Sequence, residues 1–189
     1  DGSTAYTYTV DEEPVEGYIT TVSGTNLINT ITGTTSVSGT KTWRVPEGTE
    51  LPESITVILN RNDEPVARKK VTAADDWSYE FTELPAYSED GSTAYTYTVD
   101  EEPVEGYITT VSGTNLINTI TSVKISKVDI ADGEELEGAT IQLIDKETGE
   151  VVEEWTSTNE AHEVTGLTTG KTYILRETVA PEGYGITSD

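Results

Sequence analysis

Three polar residues stand where strand alternation calls for apolar ones. Side chains at i, i+2 and i+4 of a strand share one face. On a strand over 37–45 that face carries Val37, Gly39, Lys41, Trp43 and Val45. On a strand over 94–102 it carries Tyr95, Tyr97, Val99 and Glu101, and on a strand over 115–121 it carries Leu116, Asn118 and Ile120. An amine, a carboxyl and a carboxamide therefore fall in line with core residues. Amine and carboxyl groups exchange protons, and burial decides which form each takes. Any one of the three buried alone costs several kcal/mol, so three in one small domain are expected to meet. Gly39 leaves room for a close neighbour. Alternation by itself also admits a buried Lys–Glu ion pair with the Asn completing its hydrogen bonds. It admits equally a one-residue register slip that turns all three to solvent.

The same pattern recurs further on. A strand beginning the last segment has Val123, Ile125 and Lys127 on one face, and a strand over 171–177 has Tyr173, Leu175 and Glu177. A register slip would have to occur twice in the same way.

The elements that position these residues are short strands. Within 34–121 seven are expected, near 37–45, 54–60, 65–72, 77–82, 94–102, 106–112 and 115–121. Turn residues separate them, among them Pro46-Glu47-Gly48, Asn60-Arg61-Asn62-Asp63 and Ser112-Gly113. No segment has helical periodicity. The 34 threonines and 10 tyrosines favour half-buried pleated surfaces. The expected class is all-β, with tandem Ig-like or prealbumin-like sandwich modules of about seven strands, because two packed antiparallel sheets bury such strands.

The modules are visible as a repeat. Residues 1–32 and 90–121 are identical, at an offset of 89. A repeat of this length is a duplicated domain-sized unit. The chain therefore reads as the last third of a preceding module (1–33), a complete module (34–121) and a related segment lacking its last strand (122–189). Starting at Asp1-Gly2-Ser3 without methionine, it reads as a cut from something longer.

Composition narrows the function. Eleven Lys and Arg against 35 Asp and Glu leave a net charge of −24. That balance opposes binding to nucleic acid and to anionic membrane surfaces. With no cysteine, neither disulfides nor thiol chemistry is available. One histidine, His162, supports neither a Ser-His-Asp triad nor a multi-His metal centre. The acidic turn around Gly133 (Asp129, Asp132, Glu134, Glu135) lacks the spacing of an EF-hand loop and reads as solvated. Arg68-Lys69-Lys70 reads as an exposed strand, and Trp43, Trp77 and Trp155 as strand-packing or core residues. No metal and no cofactor is expected.

Several of these runs carry a resemblance. Gly39-Thr40-Lys41-Thr42-Trp43, Tyr97-Thr98-Val99-Asp100-Glu101-Glu102-Pro103-Val104-Glu105-Gly106-Tyr107 and Ile117-Asn118-Thr119 resemble the B-type repeat of collagen-binding surface adhesins of Gram-positive bacteria. The match covers 34–121, and 1–32 matches its last third. The segment 122–189 resembles the prealbumin-like domains of sortase-assembled pilins and adhesins. There the matching stretches are Lys127-Val128-Asp129, Leu136-Glu137-Gly138-Ala139 and Glu177-Thr178-Val179-Ala180-Pro181-Glu182-Gly183-Tyr184.

The resemblance implies an intramolecular isopeptide bond from a first-strand lysine to a last-strand asparagine, assisted by a buried acid. Carried over, the bond joins Lys41 to Asn118 with Glu101 as the acid. Lys127 and Glu177 fit the same roles in the last segment, whose asparagine would fall beyond Asp189. Glu12 and Asn29 are the matching half-site in the first copy, whose lysine would precede Asp1. Desolvation disfavours charge on amine and carboxyl alike, and their mutual attraction opposes it. If desolvation wins, a neutral amine faces a neutral acid and can attack the amide carbon. This happens once per molecule, so the chain is not expected to be an enzyme.

The function that follows is a stalk segment of a cell-wall-anchored, extracellular adhesin, with its anchor outside this chain. Its partners are the neighbouring modules, and a host extracellular protein or glycan engaged through other regions. The alternatives are a sandwich surface that itself binds such a ligand, or a pilus shaft subunit. Strand exchange between chains through 1–32 is a further expectation. Asn118 is expected to outcompete Asn29, because the link from Thr32 to Val37 reaches at most roughly 20 Å. An incomplete last segment leaves a sheet edge unpaired. Limited proteolysis should therefore clip 122–189 before 34–121; equal resistance would show that something completes the last segment.

Overall fold

The computed structural model describes Gly2 and residues 5–186; the outermost residues of the first and last segments lie outside that range. Among the described residues, fourteen strands and one 3-10 turn (Ala73–Asp75) make up the regular structure. The first copy of the repeat supplies β1 (Tyr18–Ser23) and β2 (Asn26–Ile31). The complete module supplies β3 (Thr34–Arg44), β4 (Ser54–Arg61), β5 (Glu64–Thr72), β6 (Ser78–Pro85), β7 (Tyr97–Glu101), β8 (Tyr107–Ser112) and β9 (Asn115–Ile120). The last segment supplies β10 (Ser122–Ile125), β11 (Thr140–Asp145), β12 (Val151–Thr156), β13 (His162–Thr165) and β14 (Tyr173–Val179). All seven strands expected in the complete module are present. The fifth begins later than expected, at Tyr97, after an isolated bridge between Tyr87 and Ala94.

The sheets are β6-β3-β9-β8, β5-β4-β7, β12-β11-β14, β10-β13 and the hairpin β1-β2. The chain packs as two compact units. One comprises Asp1–Thr42, Leu51–Glu102 and Val111–Leu116, the other Trp43–Glu50, Pro103–Thr110 and Ile117–Asp189. The first unit buries Val37, Tyr79 and Leu116 from one sheet and Ile55, Val57, Leu59, Val71 and Val99 from the other. Valine and isoleucine dominate because their branched side chains suit a pleated surface packed on one face. The second unit has its own core of Ala139, Ile141, Leu143, Trp155 and Val164, with Ile125, Leu167 and Tyr173 packed against it.

Identical sequence takes two structures in this chain. Residues 97–101 form β7 by pairing with β4, Val99 opposite Leu59 and Glu101 opposite Val57. The same letters at 8–12 form no strand. Val10 is 36% exposed where Val99 is 5%, and Leu27 is 43% exposed where Leu116 is 0%. Pairing and burial against 34–85, not local propensity, make β7 a strand.

Two glycines are demanded by close approach. Gly39 on β3 stands opposite Tyr79 on β6. A Cβ on Gly39 would lie 1.9 Å from the Thr114 carbonyl oxygen and 2.6 Å from the Tyr79 hydroxyl. The room that the sequence left at Gly39 is thus filled by a tyrosine. Gly106 has a positive φ of 78°, and a Cβ there would lie 2.7 Å from the Gly166 carbonyl oxygen. Around it the Thr121 hydroxyl donates to the Leu167 carbonyl at 2.6 Å and the Gly166 amide to the Thr121 carbonyl at 2.9 Å. These bonds tie the end of the complete module to the last segment within one compact unit.

The last segment corrects one sequence expectation and limits another. Lys127 does not share a strand with Val123 and Ile125, because β10 ends at Ile125. Leu175 shares a face with Tyr173 and Glu177 and stands opposite buried Leu143, but on β14, at the edge of its three-stranded sheet, it is left 47% exposed.

Replacing Gly39 with Ala puts a methyl group into backbone that cannot retreat without moving the turn before β9. Overpacking of this kind costs roughly 1–3 kcal/mol. Thermal unfolding of the full chain should show a lower Tm for Gly39→Ala, and an unchanged Tm would mean that Thr114 is free to move.

Candidate functional site

The three polar residues of the complete module all face inward. Lys41 on β3 is 4% exposed, Glu101 on β7 6% and Asn118 on β9 0%. The alternation that places them is intact: Val37 and Lys41 are buried on β3, Val99 and Glu101 on β7, Leu116 and Asn118 on β9. No register slip has occurred.

Lys41 and Glu101 meet. The Lys41 Nζ donates to Glu101 Oε1 at 2.7 Å, and neither side chain has any exposed surface. Burial pulls the Lys41 pKa below its ordinary value, and the hydrogen bond and charge of Glu101 pull the other way. Desolvation is the larger effect, so the site favours the neutral, nucleophilic amine more than water does. The pair sits one proton transfer away from an amine beside a carboxylic acid.

Asn118 lies on β9, the strand next to β3 in the four-stranded sheet. It is fully buried, yet neither its Oδ1 nor its Nδ2 makes a hydrogen bond. A buried polar atom left without a partner costs about 1–3 kcal/mol, and buried side-chain amides are nearly always satisfied. An asparagine kept to complete the hydrogen bonds of an ion pair would show those bonds.

The half-sites differ from this arrangement. In the first copy Thr20 stands opposite Asn29. Its hydroxyl lies 2.9 Å from Glu12 Oε2 and 2.7 Å from Asn29 Oδ1, so acid and amide are gathered around one threonine while Asn29 stays exposed. In the last segment Lys127 Nζ and Glu177 Oε1 are 3.6 Å apart, with 30% and 14% of their side chains exposed. That pair is looser and wetter than Lys41–Glu101. Glu177 Oε1 is itself buried without a hydrogen bond.

Other residues singled out in the sequence serve packing or lie at the surface. Trp155 lies in the second core and stacks on His162 with ring centroids 4.4 Å apart, and His162 Nε2 is 2.7 Å from Glu153. Trp43 meets Tyr107 edge-on at 5.0 Å. Arg68, Lys69 and Lys70 form an exposed run on β5, where Arg68 pairs with Glu102 and Lys69 donates to the Glu80 carbonyl. Asp129 accepts from the Ala131 amide and the Tyr184 hydroxyl.

Sequence reasoning missed the residues that fix β9 against β3. The Tyr79 hydroxyl donates to the Thr114 carbonyl. The Thr114 hydroxyl donates to the Ser38 carbonyl at 2.6 Å. The Thr40 amide and hydroxyl both donate to Asn115 Oδ1, at 3.0 and 3.1 Å. The available signal was a glycine at position 39, which only a large side chain from a neighbouring strand could exploit.

Comparison with known proteins agrees with this architecture. Residues 1–30 and 37–119 match the family model of the Cna protein B-type domain, and residues 121–189 match the SpaA prealbumin-like fold domain. A collagen adhesin of Staphylococcus aureus is 37% identical over 123 residues, 60% of this chain but only 10% of that protein. The crystal structure of a single B repeat unit of the collagen-binding surface protein of the same organism is 29% identical, with a TM-score of 0.45, over 81% of this chain and 90% of that one. The pilus adhesin SpaC of Lactobacillus rhamnosus GG, in its open conformation, shares the fold with a TM-score of 0.51 at 20% identity, over 88% of this chain and 23% of that one. With its two copies of the repeat covered by one family model, the chain belongs to the Cna protein B-type domain family.

Proposed function

We propose that the chain is a stalk segment of an extracellular, cell-wall-anchored adhesin, and that its complete module is closed by an isopeptide bond from Lys41 to Asn118. The observation that carries the reading is Asn118. A fully buried amide with no hydrogen bond has no structural reason to be there, on the strand beside a fully buried Lys–Glu pair. As a reactant it has one.

The reaction balances within the site. Glu101 takes a proton from Lys41 Nζ along their 2.7 Å hydrogen bond, leaving a neutral amine and a carboxylic acid. The amine lone pair attacks Asn118 Cγ while Glu101 polarises the amide oxygen. A bond forms between Nζ and Cγ, and the bond between Cγ and Nδ2 breaks. Glu101 passes its proton to the departing nitrogen, which leaves as ammonia, and takes up the second proton that Nζ sheds on becoming an amide, so that the acid ends protonated. No co-reactant is needed, and packing supplies the effective molarity. Turnover is impossible because the nucleophile is consumed.

The product would join the first and last strands of the module, β3 and β9. In a tandem array these strands bear the load, so force would pass through a covalent shunt. By analogy with a disulfide closing a loop of this size, the constraint on the unfolded chain is worth roughly 4–5 kcal/mol. It would staple a domain that has no cysteine. The relatives are named for collagen binding and pilus adhesion. This chain spans a tenth of the adhesin it matches, so any host ligand is assigned to regions outside it.

Peptide mapping tests the reading. A proteolytic digest should contain one branched peptide pairing Lys41 with Asn118, and Glu101→Ala should leave the chain folded without it. A branched peptide pairing Lys41 with Asn29 as the main species would overturn the assignment.

A further inference from the structure

The reaction needs Asn118 delivered to Lys41 in one register, and strand pairing alone does not secure that. A slip of one residue between β9 and β3 would turn Asn118 to the other face of the sheet. A misplacement of about 1 Å can cost on the order of 100-fold in rate. Something at the entry to β9 must hold the strand, and the structure concentrates bonds there. Thr114 and Asn115 make three side-chain hydrogen bonds with Ser38 and Thr40. Lys41 follows Thr40 directly, and Asn118 is three residues along β9 from Asn115.

Tyr79 adds the remaining tie, from a third strand. Its ring lies against Gly39, where a Cβ would come within 2.8 Å of the ring carbon that bears the hydroxyl. That hydroxyl reaches the Thr114 carbonyl. Tyr79 is 4% exposed and packs edge-on against Phe81 at 6.1 Å. Burial first, and the charge of Glu101 second, push its pKa up to about 12. The hydroxyl therefore remains a donor across the physiological range, and it lies within electrostatic reach of the acid.

We infer that Tyr79, with Thr114 and Asn115, forms a latch that holds β9 in register against β3, and that Tyr79 is a positioning residue for the Lys41–Asn118 reaction. The inference rests on the reading under Proposed function. Tyr79 exchanges no proton with the reacting atoms: the Nζ–Cγ bond forms, the Cγ–Nδ2 bond breaks and ammonia leaves, as described there. The same Thr-Asn pair occurs at Thr25-Asn26 in the first copy, where Leu27 and Asn29 remain exposed.

The test follows the full chain made by cell-free translation and quenched in acid at intervals. Intact mass gives the linked fraction and pulse proteolysis the folded fraction. Wild type should link as fast as it folds. Tyr79→Phe keeps the ring and removes only the hydroxyl. It should accumulate folded but unlinked chain and link about tenfold slower or more. Asn115→Ala removes the neighbouring tie and should slow linking in the same direction. A merely structural tyrosine would lower the folded fraction without slowing the chains that have folded. Tyr79→Phe linking at the wild-type rate once folded overturns the inference. Should Tyr79→Phe fail to fold, Asn115→Ala at the wild-type rate overturns the latch. Wild type that folds and never loses ammonia overturns the underlying reading, a result distinct from either.

Discussion

Taking an ammonium and a carboxylate out of water costs several kcal/mol for each ion after relaxation, and Lys41 and Glu101 are both withdrawn completely. Their mutual attraction offsets part of that cost, yet for Lys41 desolvation outweighs it. The rest of the module is arranged around this conflict. Two sheets exclude water from the pair, with Val57, Leu59, Val99 and Leu116 in the same core. An apolar pair of similar volume would often be as stable or more so. An ion pair in that place needs a reason other than stability, and the proposed reaction with the amide on the next strand would provide one.

The duplicated sequence separates what is local from what is tertiary. Tyr18–Ser23 and Asn26–Ile31 form a hairpin in the first copy, as their counterparts form β8 and β9 in the second. The turn and alternation suffice for that much. The acid-bearing strand is different: Glu12 lies in irregular chain next to Thr20, while Glu101 lies on a strand paired with β4. The carboxyl therefore enters the core only when a body such as 34–85 is there to receive it. Coupling burial of the acid to completion of the sandwich would make the proposed chemistry wait for the fold. In the proposed reaction, amine and amide would thereby be kept apart until their geometry is right.

Most of the module could be read from alternation. Seven strands, their turns and the inward lysine, glutamate and asparagine follow from a period of two and from the cost of burying them. Reading fell short where a strand ended early or lay at a sheet edge. Lys127 falls beyond the end of β10, and Leu175, in register with buried Leu143, is left 47% exposed on the edge strand β14. The Tyr79 latch was out of reach for another reason. Its meaning comes from the pairing of Gly39 with Tyr79 across β3 and β6, and the hydrophobic pattern does not specify which residues stand opposite each other. Nor could a sequence reveal that Asn118 is buried without a hydrogen bond, the observation on which the proposed reaction rests.

The central claim is that burial has converted a lysine, a glutamate and an asparagine into one covalent link. The most direct measurement is the intact mass of the purified, fully folded chain. The account predicts a mass below the sequence value by one ammonia and no more, since one complete set of three groups is present in the complete module and the other two sets are partial. A mass equal to that of the sequence would contradict it.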